Sequence, residues 1–165
     1  MIMNNIYIKD IILQTMADGP GLRTSIYCTG CYHKCKGCHN PQTWDMFSGE
    51  CMSVDEIFDI IKNDIWSEGV TFTGGDPMYQ VEAFTELAKR IKEETDKDIW
   101  LYTGFTIHNI ISEPSMAQIL PYVDYVVDGP YIEALRDLNL KFRGSSNQKI
   151  YKIVNGLPEI DYQYM

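Results

Sequence analysis

The sequence lacks several features that would assign it to particular protein classes. No apolar run approaches the roughly 20 residues that a transmembrane helix needs. Basic residues are few, 14 against 23 acidic ones, and the net charge of −9 argues against a broad surface for nucleic acid or anionic membrane. Residues 1–9 have neither the basic start nor the apolar core of a signal peptide. We therefore expect a cytoplasmic protein with no nucleic-acid or membrane partner.

Internal repeats, low-complexity tracts and linkers are also absent from the 165 residues. This length suits a single domain, 1–165, that is large enough to bury a core. Hydrophobic residues make up 45% of the chain and charged residues 22%. Both fractions are ordinary for a globular protein and argue against disorder.

Segments of strand and helix character alternate along the chain. Strands are predicted, mainly from β-branched and aromatic enrichment, at 6–13, 22–28, 69–73, 98–103, 122–127 and 150–154. This alternation favours a parallel sheet with helices packed outside. Because the chain is shorter than the roughly 200 residues of a small closed eight-fold barrel, we expect a partial (β/α) barrel or an open, curved parallel sheet.

Three helices are predicted between the strands. They lie at 54–65, 79–95 and 107–113. Ser53 and Glu56 form a capping box ahead of the first helix, whose apolar stripe extends to Ile65. On the second helix, Glu86 and Arg90 are spaced for an i,i+4 ion pair.

Distinctive residues follow four of the predicted strands. They are the cysteine cluster at 31–38, the TGGDP segment at 73–77, the Thr-Gly pair at 103–104 and the DGP segment at 128–130. The carboxyl ends of parallel strands share one rim of the sheet, and ligands bind there. We therefore expect these four loops to converge on one site.

The cysteines indicate a metal site. Four of the five fall within eleven residues, and structural disulfides are rare in a reducing cytosol. Cys31, Cys35 and Cys38 offer three thiolates, which are soft ligands suited to an iron–sulfur cluster, zinc or copper(I). On a four-iron cube, three ligands leave one iron open. The alternative is a structural zinc site with Cys28 or His33 as fourth ligand, although zinc modules usually separate their ligand pairs by about 12 residues or more.

The cysteine loop resembles the signature of the radical S-adenosylmethionine (SAM) superfamily. More closely, the chain resembles the activating proteins of anaerobic (class III) ribonucleotide reductases. The matching segments are DGPGLR at 18–23, CYHKCKGCHNPQTW at 31–44, TGGDP at 73–77, LYTGF at 101–105, VDGPY at 127–131 and FRGSSNQ at 142–148. Gly37 departs from the wider superfamily, in which an aromatic residue commonly stands there, and is similar to the reductase-activator subgroup.

The resemblance implies a cofactor and an activity. Cys31, Cys35 and Cys38 would hold a [4Fe–4S] cluster, and the fourth iron would bind SAM. One electron from an external donor, flavodoxin-like or ferredoxin-like, would cleave SAM to a 5′-deoxyadenosyl radical. That radical would generate a glycyl radical on the large subunit of the anaerobic ribonucleotide reductase, so the protein would be a radical SAM oxidoreductase.

The resemblance also implies a SAM-binding role for the TGGDP segment. Gly74 and Gly75 would let the backbone approach the methionine part of SAM closely. Asp76 would accept a hydrogen bond from its ammonium group. As plain chemistry, the same segment is a strand-to-helix turn in which Pro77 opens the helix.

Other site residues follow from the remaining motifs. Asn40 and Asp128 are further candidates for SAM binding. In related activators the DGPG segment lies where the target glycine loop is received, so Asp18 and Arg23 are candidates for partner contact, although DGPG by itself is a turn. We expect Cys28, at a strand end, to point into the core and to take no part in the cluster.

Two other functions fit part of the pattern. The chain could activate another glycyl radical enzyme, such as pyruvate formate-lyase, but its short length and the FRGSSNQ segment argue against this. In a different class, a ferredoxin-like electron carrier would also use clustered cysteines. A carrier needs no open iron and normally has four cysteine ligands for each cluster.

Overall fold

The computed structural model describes residues 4–165, which form a mixed eight-stranded sheet with four α-helices. The strands are β1 (Asn5–Thr15), β2 (Arg23–Cys28), β3 (Glu50–Ser53), β4 (Gly69–Gly74), β5 (Asp98–Tyr102), β6 (Tyr125–Asp128), β7 (Lys149–Val154) and β8 (Leu157–Ile160). The helices are α1 (Val54–Asn63), α2 (Val81–Glu94), α3 (Ile107–Ser112) and α4 (Pro114–Ala117). Within residues 4–165, no helix has the length and apolar character needed to cross a bilayer.

The order of strands in the sheet is β3-β1-β2-β4-β5-β6-β7-β8. Strands β2, β4, β5 and β6 are parallel, and helices occupy the crossovers between them. The two strands at each edge pair antiparallel, so the expected wholly parallel sheet is wrong at its edges. At one edge, a two-residue connection favours the antiparallel pair: Asn155 and Gly156, both at positive φ, form the tight turn between β7 and β8.

The two faces of the sheet follow from the alternation of side chains along each strand. On one face, Ile26, Phe72 and Leu101 join the main apolar core with the buried residues of α1, α2 and α3. On the opposite face, which we call the inner face, a smaller cluster is built on Trp100 and Ile150. Aromatic side chains packed against that cluster are Tyr102, Tyr125, Phe142 and Tyr164.

Helix α1 begins as predicted but ends earlier. The Ser53 hydroxyl accepts a hydrogen bond from the Glu56 N–H at 3.1 Å, and the Glu56 carboxylate accepts from the Ser53 N–H at 2.9 Å, which confirms the capping box. The helix ends at Asn63, and Ile65 lies beyond it with 76% of its surface exposed. The prediction that Ile65 continues the apolar stripe is therefore wrong.

The predicted ion pair between Glu86 and Arg90 on α2 is also wrong. Arg90 instead contacts the carboxylates of Asp55, on α1, and Glu94. Its guanidinium lies 4.2 Å from the centre of the Phe58 ring, so it bridges α1 and α2. The local i,i+4 partner of Arg90 is therefore Glu94 and not Glu86, and Asp55 is an additional partner across the helix interface.

Candidate functional site

The loops that follow the four parallel strands meet at a cavity of about 430 Å³. This volume is within the range of small-molecule sites. The lining includes Cys31, Cys35, Cys38, Asn40, Thr73, Gly74, Gly75, Asp76, Thr103, Gly104 and Gly129, together with Asp18, Tyr102, Tyr131, Phe142 and Arg143. The structure thus brings together the four loops that the sequence predicted would converge.

The pairing of β2 with β4 continues past the strand ends into the two loops. The N–H of Gly75 donates to the Cys28 carbonyl at 2.8 Å, and the N–H of Asp76 donates to the Gly30 carbonyl at 2.9 Å. A Cβ on Gly75 would lie 2.7 Å from the Gly30 carbonyl oxygen, and one on Gly74, at φ +102°, would lie 2.6 Å from the Cys28 N atom. Both glycines are therefore required by this backbone contact alone.

The segment after the cysteines folds back on the cysteine loop. The Cys31 N–H donates to the Trp44 carbonyl at 3.1 Å, and the Cys38 N–H donates to the Cys35 carbonyl at 3.1 Å. The Asn40 N–H points at the Cys38 sulfur at 3.4 Å. This contact joins the Cys38 sulfur to the backbone of the segment that follows the cysteines.

The three thiols lie where one bound group could contact all of them. All three are free, partly exposed and on the lining of one cavity. Among residues 4–165, no group of three or more His, Cys, Asp or Glu side chains is arranged to hold a single metal ion. A cube takes each thiolate on a different iron. Burial raises the pKa of the Cys31 thiol to about 11, and bonding to a metal would stabilise the thiolate that burial disfavours.

The Asp76 carboxylate is buried and already hydrogen-bonded. Its residue is 1% exposed. Oδ1 accepts from the Met78 N–H at 3.0 Å, and Oδ2 accepts from His33 Nε2, Thr103 Oγ1 and the Gly104 N–H at 2.6, 2.9 and 2.9 Å. A carboxylate offers about four acceptor sites. The predicted direct bond from Asp76 to the SAM ammonium does not fit this arrangement, because the carboxylate is occupied in joining loops.

Asp128 likewise joins elements of the fold. Its Oδ2 accepts from the Ile107 N–H at 2.8 Å, at the start of α3, and its Oδ1 accepts from the Lys149 N–H at 3.0 Å, at the start of β7. Burial raises the pKa of Asp128, and these two backbone donors oppose the rise. Gly129 lines the cavity, and Asp128 is not among the lining residues. Direct SAM binding by Asp128 does not fit this position.

Asp18 lies on the cavity lining, as a residue in contact with a partner segment would. Its carboxylate accepts a hydrogen bond from the Tyr27 hydroxyl, and its carbonyl accepts one from Thr71 Oγ1 at 2.8 Å. Burial, and then the Asp18 carboxylate, raise the pKa of Tyr27 above its usual range. Tyr27 therefore remains a hydrogen-bond donor to Asp18, and the position of Asp18 is fixed from β2 and β4.

Arg23 is buried, at 1% exposure, on the inner face. Its guanidinium contacts Asp98 at 2.9 Å, Thr71 Oγ1 at 2.8 Å, and the carbonyls of Pro20 and Val70 at 3.0 Å each. The prediction that Arg23 touches a partner directly does not fit this burial. Its bond to Pro20 makes it an anchor of the DGPG turn.

Three further residues of the cysteine loop, the VDGPY segment and the FRGSSNQ segment lie on the lining. His33, considered from the sequence only as a fourth ligand of a zinc site, contacts Asp76 through its ring beside the cavity. Its place midway between Cys31 and Cys35 was the signal that could have identified it. Tyr131 and Arg143 lie in the VDGPY and FRGSSNQ segments and also reach the lining.

Cys28 and Cys51 lie apart from the three lining cysteines. Cys28 is fully buried in the main core, as expected, and burial holds the pKa of its thiol well above the usual range. Cys51 is exposed on β3.

A solved structure, that of QueE from Escherichia coli, has a TM-score of 0.49 to this chain at 18% sequence identity. The match covers 62% of this chain and 53% of the QueE chain, so it spans about half of that protein.

The sequence matches characterised protein families over most of its length. Residues 17–151 match the family model of the 4Fe-4S single cluster domain. The chain is 40% identical to the anaerobic ribonucleoside-triphosphate reductase-activating protein of Vibrio cholerae, over 83% of this chain and 92% of that protein. It is 33% identical to the Escherichia coli K12 protein of that name, over 84% and 93%, and 34% identical to that of Enterobacteria phage T4, over 85% and 90%. The resemblance seen in the motifs is confirmed: the chain belongs to the family of anaerobic ribonucleoside-triphosphate reductase-activating proteins.

Proposed function

We propose that this chain is a radical SAM activase that generates a glycyl radical on the large subunit of an anaerobic ribonucleotide reductase. Its membership of the activating-protein family carries the proposal. The cavity supports it, because three free thiols lie on its lining together with the TGGDP segment. The activity fits an oxidoreductase with a [4Fe–4S] cluster and SAM as cofactors.

When bound, the cluster supplies one electron that splits SAM into methionine and a 5′-deoxyadenosyl radical. Cys31, Cys35 and Cys38 would hold three irons and leave the fourth for SAM. The N–H of Asn40, aimed at the Cys38 sulfur, stabilises negative charge there. Hydrogen bonds to cluster sulfurs are one of the means by which a protein sets a reduction potential.

The methionine part of SAM would lie beside the thiols. Gly74, Gly75 and Asn40 line the same cavity as the cysteines, and we assign them to this contact. Asp76 acts indirectly, by holding the loops that form the cavity wall. Asp128 acts in the same indirect way through α3 and β7.

The partner segment would approach along the DGPG turn. Asp18 lies on the lining and is held by Tyr27, so its carboxylate has a defined position for contact with a backbone that enters the cavity. Tyr102 and Phe142, which pack on the inner-face cluster, also line the cavity and would limit contact of a radical with water. The electron comes from an external one-electron donor of flavodoxin-like or ferredoxin-like type.

We further assign the sheet to the partial (β/α) barrel of radical SAM enzymes. The support is the run of three parallel crossovers from β2 to β6, with helices on one face and aromatic side chains covering the other. A cytoplasmic setting is proposed because the five cysteines are free thiols and the chemistry needs reducing conditions.

The test is anaerobic reconstitution of the full chain with iron and sulfide, followed by reduction in the presence of SAM and the large reductase subunit. We expect a SAM-dependent glycyl radical on the reductase by electron paramagnetic resonance, together with 5′-deoxyadenosine. A radical formed on pyruvate formate-lyase and not on the reductase would move the chain to the other activator class. A cluster that is reduced without any 5′-deoxyadenosine would identify an electron carrier.

A further inference from the structure

Three loops of the cavity meet at a single oxygen atom. Asp76 Oδ2 lies 2.6 Å from His33 Nε2 and 2.9 Å from both Thr103 Oγ1 and the Gly104 N atom. His33 belongs to the cysteine loop after β2, Asp76 follows β4, and the other two residues follow β5. The carboxylate therefore fixes the loops of three neighbouring strands relative to one another.

The His33 ring is enclosed around this contact. It meets the Phe105 ring edge-on at 4.6 Å and the Tyr79 ring at 5.5 Å between centres. A Cβ at Gly104 would come within 2.6 Å of His33 Cδ2, so the absence of a side chain there makes room for the imidazole. Only 16% of the His33 side chain is exposed. The packing holds the ring in the orientation that meets Asp76.

We infer that His33 is a positioning residue for the cluster-binding loop, an inference that rests on the proposed function. His33 lies midway between Cys31 and Cys35, so its bond to Asp76 transmits the position of the TGGDP segment to the two thiols. The carboxylate oxygens accept, and Nε2 therefore carries the proton and donates. Charge-assisted hydrogen bonds of this kind are short and directional.

Other contacts hold the loop mainly at its ends. The Cys31 N–H bonds to the Trp44 carbonyl at one end, and the Cys38 N–H closes a turn onto Cys35 at the other. The ion pair of Lys36 with Glu133 spans 3.7 Å, with 92% of the lysine side chain exposed, and contributes little. In the middle of the loop, the Tyr32 ring also meets the Tyr79 ring edge-on at 4.9 Å, but Tyr32 is 62% exposed. The enclosed His33 is therefore the main contact there.

The experiment measures amide hydrogen exchange in the full chain, before and after anaerobic reconstitution, for wild type and His33→Ala. Loss of the bond should raise the exchange rates of the hydrogen-bonded amides of the loop, those of Cys31 and Cys38, by roughly tenfold to hundredfold. Amides of β4 and β5 should keep their wild-type rates. After reconstitution, a chelator should remove iron from the variant faster than from wild type, by a factor similar to the rise in exchange rate.

His33→Gln provides the rescue, because the glutamine amide also offers a donor at the end of a planar group. It should restore most of the protection at Cys31 and Cys38 and most of the resistance to the chelator. His108→Ala is the matched control, since His108 is an exposed histidine on α3; it should match wild type.

Wild-type exchange at Cys31 and Cys38 in His33→Ala would overturn the inference. Equal acceleration in β4 and β5 would also overturn it, because the effect would then be a general loss of stability. Failure of the wild-type chain to cleave SAM would overturn the proposed function, while the exchange result would still decide whether His33 holds the loop.

Discussion

The two faces of the central sheet are held by different interactions. The face under the helices is apolar, with Phe72, Phe84 and Leu101 fully buried in one continuous core. The inner face instead buries the guanidinium of Arg23 and the hydroxyl of Thr71, joined at 2.8 Å. Apolar packing is non-directional and tolerates exchange of similar volumes. Hydrogen bonds fix positions, and they occur here on the face that carries the DGPG turn and closes the cavity.

The largest expected effect is a loss of SAM cleavage without a loss of folding stability. Replacement of Cys31, Cys35 or Cys38 by alanine should reduce 5′-deoxyadenosine formation to background, because each thiolate is a proposed cluster ligand. The free energy of unfolding of the metal-free chain should change by less than about 0.5 kcal/mol, since all three side chains are partly exposed.

Urea unfolding and product analysis of the same samples check both halves of this prediction. Cys51→Ser is the matched control, because Cys51 is exposed on β3 and outside the cavity. Near-normal 5′-deoxyadenosine from any of the three alanine variants would contradict the assignment of that cysteine.

The next effect compares two arginines on opposite faces. Arg23→Met should lower the free energy of unfolding by about 3 kcal/mol, because it leaves buried acceptors and Asp98 without a partner. The 40% exposure of the Asp98 side chain keeps the loss at the lower end for a buried ion pair. Arg90→Met, whose partner Asp55 is 79% exposed, should cost at most about 1 kcal/mol.

Both variants are compared by urea unfolding at one pH and salt concentration. Equal losses for Arg23→Met and Arg90→Met would remove the distinction between a polar inner face and an apolar helix-covered face.

The smallest effect concerns the helix-covered face alone. Ser53→Ala removes the hydroxyl that accepts from the Glu56 N–H, and should cost about 1 kcal/mol. The thermal unfolding midpoint of the metal-free chain should fall accordingly, with 5′-deoxyadenosine formation per folded chain unchanged. A loss of activity in the folded protein would show that α1 also controls the cavity.

The central strands could be predicted because they are short, apolar and followed by distinctive turns. Strands β3 and β8 could not, since each has four residues, of which two are exposed and none is buried, and neither carries a periodic apolar pattern. Strand β6 begins at Tyr125 and not at 122, because a 3-10 turn containing Pro121 precedes it. The Asn155-Gly156 turn was a usable hairpin signal.

The site was predictable in its parts but not in their orientation. Motif order and strand ends were enough to bring the cysteines and the TGGDP segment to one cavity. The direction in which a carboxylate points depends on donors far away in the sequence. Asp76 is turned toward Thr103 and Gly104, 27 and 28 residues later, and Asp128 toward Lys149, 21 residues later. The local sequence contains no pattern that predicts these distant hydrogen-bond donors.

The hydrogen bonds between β2 and β4 continue into the loops that follow them. The register of these two strands therefore sets the position of the cysteine loop relative to the TGGDP segment. Gly75 and Asp76 bond to Cys28 and Gly30 in the same series as the strands themselves. A single-residue insertion in either strand would slide one loop past the other by about 3.3 Å. Misplacement by about 1 Å is enough to slow an enzyme roughly a hundredfold. Length changes should therefore be tolerated at the far edges of the sheet, in β3 or β8, long before they are tolerated in these two strands.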